Sequence, residues 1–390
     1  MQKIFFKENV AIALANTELR ELLYDGDVVN KPYRSKPRVA TYSKGSDISI
    51  EDRFSTNEYL TVDTAKVVPF YVDDLDKIQN KWSAVDKFAA DGQTLLNNIL
   101  DQAIAGEAAN AGDYFDDGDL GGTAGNNITV TTSNISELFT GASRKLDQVD
   151  VGQSKRFSLI GPRTLETLRL YLAGKDTGFA DTVGRNGKVM DRFGFEIYYS
   201  NNCYFSARWT PANQPTAGDT ITINGAVIEF VADVASLTST AYIGVLIETN
   251  TATTLEHLVA CINFAEATTE VEGTDWTTAD ANNDPARWKL TKAGIVATDG
   301  DTYVSIVGYG DIEVAASETA DLWSVQQQKL LFGIKGATDL VVQKSPNVEF
   351  RKAEKRLGRY IYPWMLYGKK TFADGAEQLL DVRVNASSWS

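Results

Sequence analysis

The stretch from Thr41 to Gln79, TYSKGSDISIEDRFSTNEYLTVDTAKVVPFYVDDLDKIQ, constrains the fold of this chain more than any other. Its first part is extended in pattern. Val28, Val29, Val39, Ile48 and Ile50, then Tyr59, Leu60, Val62, Val67, Val68, Phe70, Tyr71 and Val72, predict strands over 27–72. Ser43-Lys44-Gly45-Ser46-Asp47 carries turn chemistry, with Gly45 free to take positive φ. Together these predict a long ribbon that is polar or charged on much of both faces. At Asp73 the apolar period changes from two to about 3.6. Leu75, Ile78, Trp82, Val85, Phe88, Leu95, Leu96, Ile99, Leu100 and Ile104 then fall on one stripe, in phase across Gly92. Asp73 and Asp74 suit the N-terminus of that helix, where anions are favoured.

These parts do not fit a compact ball. One helix over 73–105 would be about 50 Å long. A compact domain of about 275 residues has a radius of gyration near 19 Å, so the helix spans roughly its whole width. Ribbon arms of about 14 residues reach about 45 Å, and an isolated two-stranded ribbon is marginal in water. The simplest resolution is that the ribbon lies on another copy of the chain. Lys44, Asp47, Glu51, Asp52, Arg53 and Glu58 are then candidates for intersubunit ion pairs and hydrogen bonds. Heterologous contacts of this kind close into rings and shells.

The remainder alternates helices and strands. Residues 3–24 predict an amphipathic helix or arm, charged throughout and unlike a signal peptide. Residues 106–134 are a Gly/Asp/Asn/Thr-rich connection. A helix at 135–146 follows, with Ile135, Leu138, Phe139, Ala142 and Leu146 on one face. Then come a strand at 156–160, a helix opened by Gly161-Pro162, and a strand at 195–201. The segment 208–325 differs in character. Asn224-Gly225 between two alternating runs is a strong hairpin signal. Residues 254–265 predict a helix with Leu255, Leu258, Val259 and Ile262 inward, and 287–297 and 301–316 predict strands. This reads as a self-contained α+β unit inserted into a parent domain, and it is expected to fold alone. Between Arg208 and Asp321 stand 17 acidic and four basic residues, nearly the whole of the chain's net charge of −14. The remainder is close to balance and carries no basic nucleic-acid footprint.

Chemistry-bearing constellations are sparse. The one histidine, His257, lies off the apolar stripe of its helix and is expected to face solvent. It excludes a multi-histidine zinc site and, elsewhere in the chain, Ser–His or Cys–His catalysis. Cys203 and Cys261 lack ligand or redox spacing and read as reduced core thiols of a cytosolic product. Asp113, Asp116, Asp117 and Asp119 resemble a calcium loop only faintly, without the EF-hand register. Gly161-Pro162-Arg163 and the aromatics of 359–368 read as packing features. No cofactor is expected, no apolar run is long enough to span a membrane, and the chain does not read as an enzyme.

The order YSKGSDISIED, YLTVDTAKVVPFYVDDLDKIQ, long helix also resembles the major capsid (coat) proteins of tailed bacteriophages with the Hong Kong 97 fold. It is most similar to podovirus-like coat proteins that carry an insertion domain. The resemblance covers about 1–205 and 325–388. It implies an α+β fold with an N-terminal arm (1–26), an E-loop with flanking strands (27–72), a peripheral domain with a spine helix (73–134), an axial domain (135–207), an insertion domain (208–325), and a return with the final strands (326–390). The spine-helix core would be Leu75, Ile78, Trp82, Val85, Phe88, Leu95 and Ile99. The implied role is self-assembly into hexamers and pentamers of an icosahedral head around double-stranded DNA, contacted without sequence reading. Implied partners are a scaffolding protein, a portal and a decoration protein; no charged helical prosegment precedes the arm, so the scaffold would be separate or the chain processed. The location is the virion capsid, after synthesis in the host bacterial cytoplasm. Members that cross-link use an E-loop lysine; Lys44 lies in that region, but no partner can be named for it. An encapsulin-like nanocompartment shell and a carbohydrate-binding phage structural or tail protein are the alternatives.

Overall fold

The computed structural model describes residues 9–23, 26–34, 39, 41–45, 47, 55–73, 84–175, 191–239, 241–264, 272, 274–278, 285–317, 322–352 and 357–386. The chain divides into two compact units, Met1–Gly112 with Ile334–Leu379, and Asp113–Gly333 with Leu380–Ser390.

The described part of the first unit begins with two 3-10 turns, Ala11–Leu14 and Glu18–Leu22, within the segment expected as a helix or arm. The break falls at Asn16, whose backbone bridges to Asp339 and so leaves the helical ladder. Next comes an antiparallel ribbon of β1 (Val28–Arg34) and β2 (Ser55–Thr61). Among the described residues its paired arms are seven residues each; most of 35–54, where the expected arms would continue, lies outside them. At its base end the chain leaves the ribbon, and β3 (Thr64–Val67) and β4 (Phe70–Asp73) join another sheet. Helix α1 is described over Ala84–Ala105. Ala89, Leu96, Leu100, Ala103 and Ile104 are buried, at helical spacing.

In the second unit β5 (Asp113–Phe115) precedes α2 (Ile135–Gln148). The five residues expected on the inner face of α2, Ile135, Leu138, Phe139, Ala142 and Leu146, are the five it buries. Phe139 meets Phe332 at 5.4 Å, and Phe332 meets Phe195 at 5.2 Å, both tilted. Strand β6 (Arg156–Ile160) is buried throughout, and α3 (Pro162–Ala173) starts on proline, whose missing N–H costs nothing in a first turn. Two sheets follow. One contains β7 (Glu196–Tyr199) and β8 (Tyr204–Thr210). The other is built from β9 (Thr220–Ile223), β10 (Ala226–Val231) and β11 (Ile243–Leu246). Asn224 and Gly225 both take positive φ, 52° and 74°, between β9 and β10, the I′-like geometry their sequence favours.

Helix α4 (Thr251–Asn263) buries Leu255, Leu258, Cys261 and Ile262. It also buries His257, at 3% exposure, so the expectation of a solvent-facing histidine is corrected. The imidazole Nδ1 stands 3.3 Å from the Leu246 carbonyl, which gives its polar edge a partner inside the fold. Strand β12 (Trp276–Thr278) is next, and then a second correction: the strand expected over 287–297 is helix α5 (Pro285–Lys292) followed by β13 (Val296–Asp299). Ala286, Leu290 and Ala293 are buried at i, i+4 and i+7, a helical period that the Ile295–Val296 pair had masked. Residues 301–316 split into β14 (Val304–Tyr309) and β15 (Val314–Ala316), which belong to different sheets across Gly310, at φ 120°.

Strand β16 (Leu322–Ile334) precedes the first unit's return, β17 (Asp339–Lys352), β18 (Gly358–Lys370) and the turn α6 (Ala373–Ala376). Strand β18 pairs β17 on one side and β3 and β4 in succession on the other. The step between β3 and β4 lies at Pro363, whose carbonyl accepts the Val68 N–H at 2.9 Å. Helix α1 lies on this sheet, and a Cβ at Gly92 would fall 2.6 Å from Pro363 Cγ, so glycine there is what permits the approach. Finally β19 (Leu379–Asn385) enters the second unit and pairs in parallel with β5.

The completed sheets of the second unit run β12-β11-β10-β9-β15 and β13-β14-β8-β16-β19-β5, with β6 on β16 and β7 on β6. The expected cuts at 207/208 and 325/326 fall inside β8 and β16. One core joins Phe205, Ala207 and Trp209 of β8 to Ile228, Leu258 and Leu290. Likewise 113–134 belongs with 135–333, because β5 is held by β19. A fragment of 208–325 lacks four of the six β8 residues that pair with β14. It is expected to unfold broadly and at low denaturant, whereas 202–334 restores the strands and unfolds in one steeper transition, as read by tryptophan fluorescence in urea.

Candidate intersubunit ribbon

The ribbon alternates cleanly. Val29 pairs with Leu60, and both are buried with Val62, Val341 and Phe372 in a small core of the first unit. The opposite face holds Val28, Asn30, Pro32, Asn57, Tyr59 and Thr61, all exposed; Tyr59 is 52% exposed and Val28 46%. A period of two therefore divides one seated face from one bare face.

Next along the seated face, Lys31 stands directly opposite Glu58. Lys31 Nζ is 3.3 Å from Asp339 Oδ2 and 3.1 Å from Asp374 Oδ2. Asp339 is only 1% exposed, and its other oxygen accepts the Asn16 side-chain N–H at 2.7 Å. Glu58 accepts the Ala373 backbone N–H at 3.2 Å and lies 4.0 Å from Lys370 Nζ. Lys370 in turn donates to the Tyr59 carbonyl at 2.8 Å. Both ammonium groups flank the Phe372 ring, at 4.8 and 5.2 Å from its centroid. Burial alone lowers the pKa of Lys31, but the two carboxylates beside it hold it above the ordinary lysine value. Burial raises Asp339, and Lys31 and Asn16 only partly offset that.

The residues named from sequence are distributed as follows. Lys44 and Gly45 form an exposed turn, with Gly45 at φ 91°, and Asp47 is exposed nearby. Glu51, Asp52 and Arg53 lie outside the described residues, as do Leu75, Ile78 and Trp82. The Val85 side chain also lies outside them. Glu58 lies at the ribbon root, where its own chain engages it. Phe88 is half-buried and stacks on Phe70 at 5.8 Å, and Ile99 is half-buried. Leu95 is 38% exposed, so the inward role falls to its neighbour Leu96; one residue is a 100° rotation on a helix. Sequence reasoning missed Lys31, Asp339, Asp374, Phe372 and Lys370. Only the Lys31/Glu58 spacing across the ribbon was readable, and it needed the register.

The helix is fixed at its far end by a second buried charge. Glu107 receives Lys369 at 2.8 Å, the Thr371 hydroxyl at 2.7 Å and the Asn110 amide at 2.9 Å. Burial pushes its pKa up, but these partners outweigh burial and hold it below the ordinary value.

No group of three metal-ligating side chains occurs among the described residues. Asp116 is consumed by the Gly118 and Gly125 N–H groups, Asp117 by Thr123, and Asp119 by Lys145 at 2.8 Å. Arg163 is paired with Asp311 and Glu313. Among the described residues no helix is long and apolar enough to cross a membrane.

No protein-family model matches the chain, and no curated protein matches it. Its structure is similar to one from Mycobacterium phage Che8, with TM-score 0.59 and 15% identity over 100% of this chain and 95% of that one. It is also similar to the capsid structure of the cyanophage P-SCSP1u, with TM-score 0.55 and 12% identity over 100% of this chain and 91% of that one. The chain is thus an α+β protein with the phage-capsid fold, the class the order of its segments implied.

Because the pKa of Glu107 is lowered on folding, its stabilisation is present above the ordinary value of 4.5 and is lost as pH falls through the folded value. Glu107→Gln is expected to cost about 2 kcal/mol at neutral pH, the order of a hydrogen bond to a charged group. It should also flatten the acid limb of the Tm–pH curve.

Proposed function

We propose that this chain is the major capsid protein of a tailed bacteriophage. It self-assembles into hexamers and pentamers that form an icosahedral head around double-stranded DNA. The observation that carries the reading is likeness in fold to a capsid structure across the whole chain. A ribbon seated on one face and bare on the other adds to it. The bare face and the loop between β1 and β2, with Lys44 and Asp47, lie across a neighbouring copy, which completes a sheet too small to be stable alone. The spine helix, described over α1, carries that ribbon. The acidic segment 208–325 acts as an outward module, and its charge disfavours DNA. A scaffolding protein, a portal and a decoration protein are the partners of such a shell. The chain is made in the host cytoplasm, ends in the virion and does no catalysis.

Negative-stain electron microscopy of the expressed chain is expected to reveal closed shells or capsomers. Replacing 35–54 by a short Asn-Gly turn spares both ribbon arms and should leave folded, soluble subunits that do not close. Lone monomers from the unaltered chain, or normal shells from the shortened one, would contradict the reading.

A further inference from the structure

The ribbon root combines two features that local stability alone does not require. Its apolar seat is small, with one ribbon pair, Val29 and Leu60, buried in it. Beyond that pair the ribbon is held by charge, and the charges alternate: Lys31 meets Asp339 and Asp374, while Glu58, directly opposite Lys31, meets Lys370 and the Ala373 N–H. The two prongs have opposite sign, so they fit the body in one orientation only. One contact is buried, at Asp339, and Asp374, Lys370 and Glu58 remain reachable by solvent. This set keeps one fixed point and several exchangeable ones. A rotation of the ribbon about the Val29–Leu60 seat would separate the outer partners first.

We propose that Lys31 and Glu58 form a two-pronged ionic latch that sets the direction of the ribbon on its own subunit before a neighbour touches it, and whose opening lets the ribbon pivot about the Val29–Leu60 seat. The latch acts on the ribbon invoked for shell building and rests on that reading for its effect in assembly. Its existence is testable in unassembled subunits.

The discriminating variant is the double exchange Lys31→Glu with Glu58→Lys. It keeps opposite charges at the two cross-strand positions, the composition and the net charge, but sets each prong against its own sign. Hydrogen exchange of the unassembled full chain is the readout. Amides of 28–34 and 55–61 are expected to exchange at least tenfold faster in the exchange variant. They should change less in Lys31→Met, which removes one prong without setting a like charge against Asp339 and Asp374, while amides of α1 stay at wild-type rates in both. Sodium chloride near 1 M, where the screening length is about 3 Å, should speed ribbon exchange in the wild type and leave Lys31→Met little changed. Wild-type protection of the ribbon in the double exchange overturns the latch, as does loss of protection that spreads equally through α1. If the unaltered chain forms no particles, the shell reading fails while the exchange rates still decide the latch. If it does form them, Lys31→Met is expected to give a higher share of open or irregular particles.

Discussion

Everything specific about this chain depends on one constraint: a two-stranded ribbon has too few partners of its own. Among the described residues each strand has one neighbour, and one face of the pair is bare. Stability must come from whatever the ribbon rests on. The first unit supplies that at the root through Val341 and Phe372, and through a charge pattern matched to the ribbon. Past the root it supplies little among the described residues. The same asymmetry that makes the ribbon weak alone makes it available to another copy.

A weak ribbon needs a rigid mount, and the rest of the first unit is one. Strands β17 and β18 are 14 and 13 residues long, well beyond ordinary strand length. The helix sits so close to β18 that only glycine fits at position 92. Its end is fixed by Glu107, a carboxylate kept charged although buried. An unpaired buried charge would be costly, so each such group in this unit carries several partners. Lys369 joins the helix end to β18, and Lys31 joins the ribbon to β17 and the turn after β18. Ribbon and helix are thereby referred to the same two strands.

What was legible in the sequence was local. The inner face of α2, the Asn224-Gly225 turn, the proline opening α3 and the order of ribbon, strands and helix all rest on patterns within a few residues. What was hidden was long-range. Lys31 and Asp339 are 308 residues apart, and nothing local distinguishes that lysine from any other. His257 lies off the apolar stripe of its helix, and what holds it inside is a carbonyl on β11, outside that helix. Helix α5 has a strand-like sequence because Ile295 and Val296, which end that segment, lie beyond the helix. The boundaries of the middle segment were drawn by composition. Strands β8 and β16 cross them because composition does not record pairing.

Composition does record something that pairing does not. Between Arg208 and Asp321 lie 17 acidic and four basic residues, and the chain as a whole has net charge −14. The ribbon, the helix and the long strands therefore come from sequence that is almost balanced in charge. Surfaces that gather many copies of one chain multiply any imbalance they carry, since every copy repels every other. Confining the excess to one segment leaves the near-neutral remainder free to use charges in opposed pairs, as Lys31 and Glu58 do. In such pairs charge fixes direction and register, with little cost in net repulsion. The excess of negative charge and the ribbon's opposed charges thus stay apart along the chain.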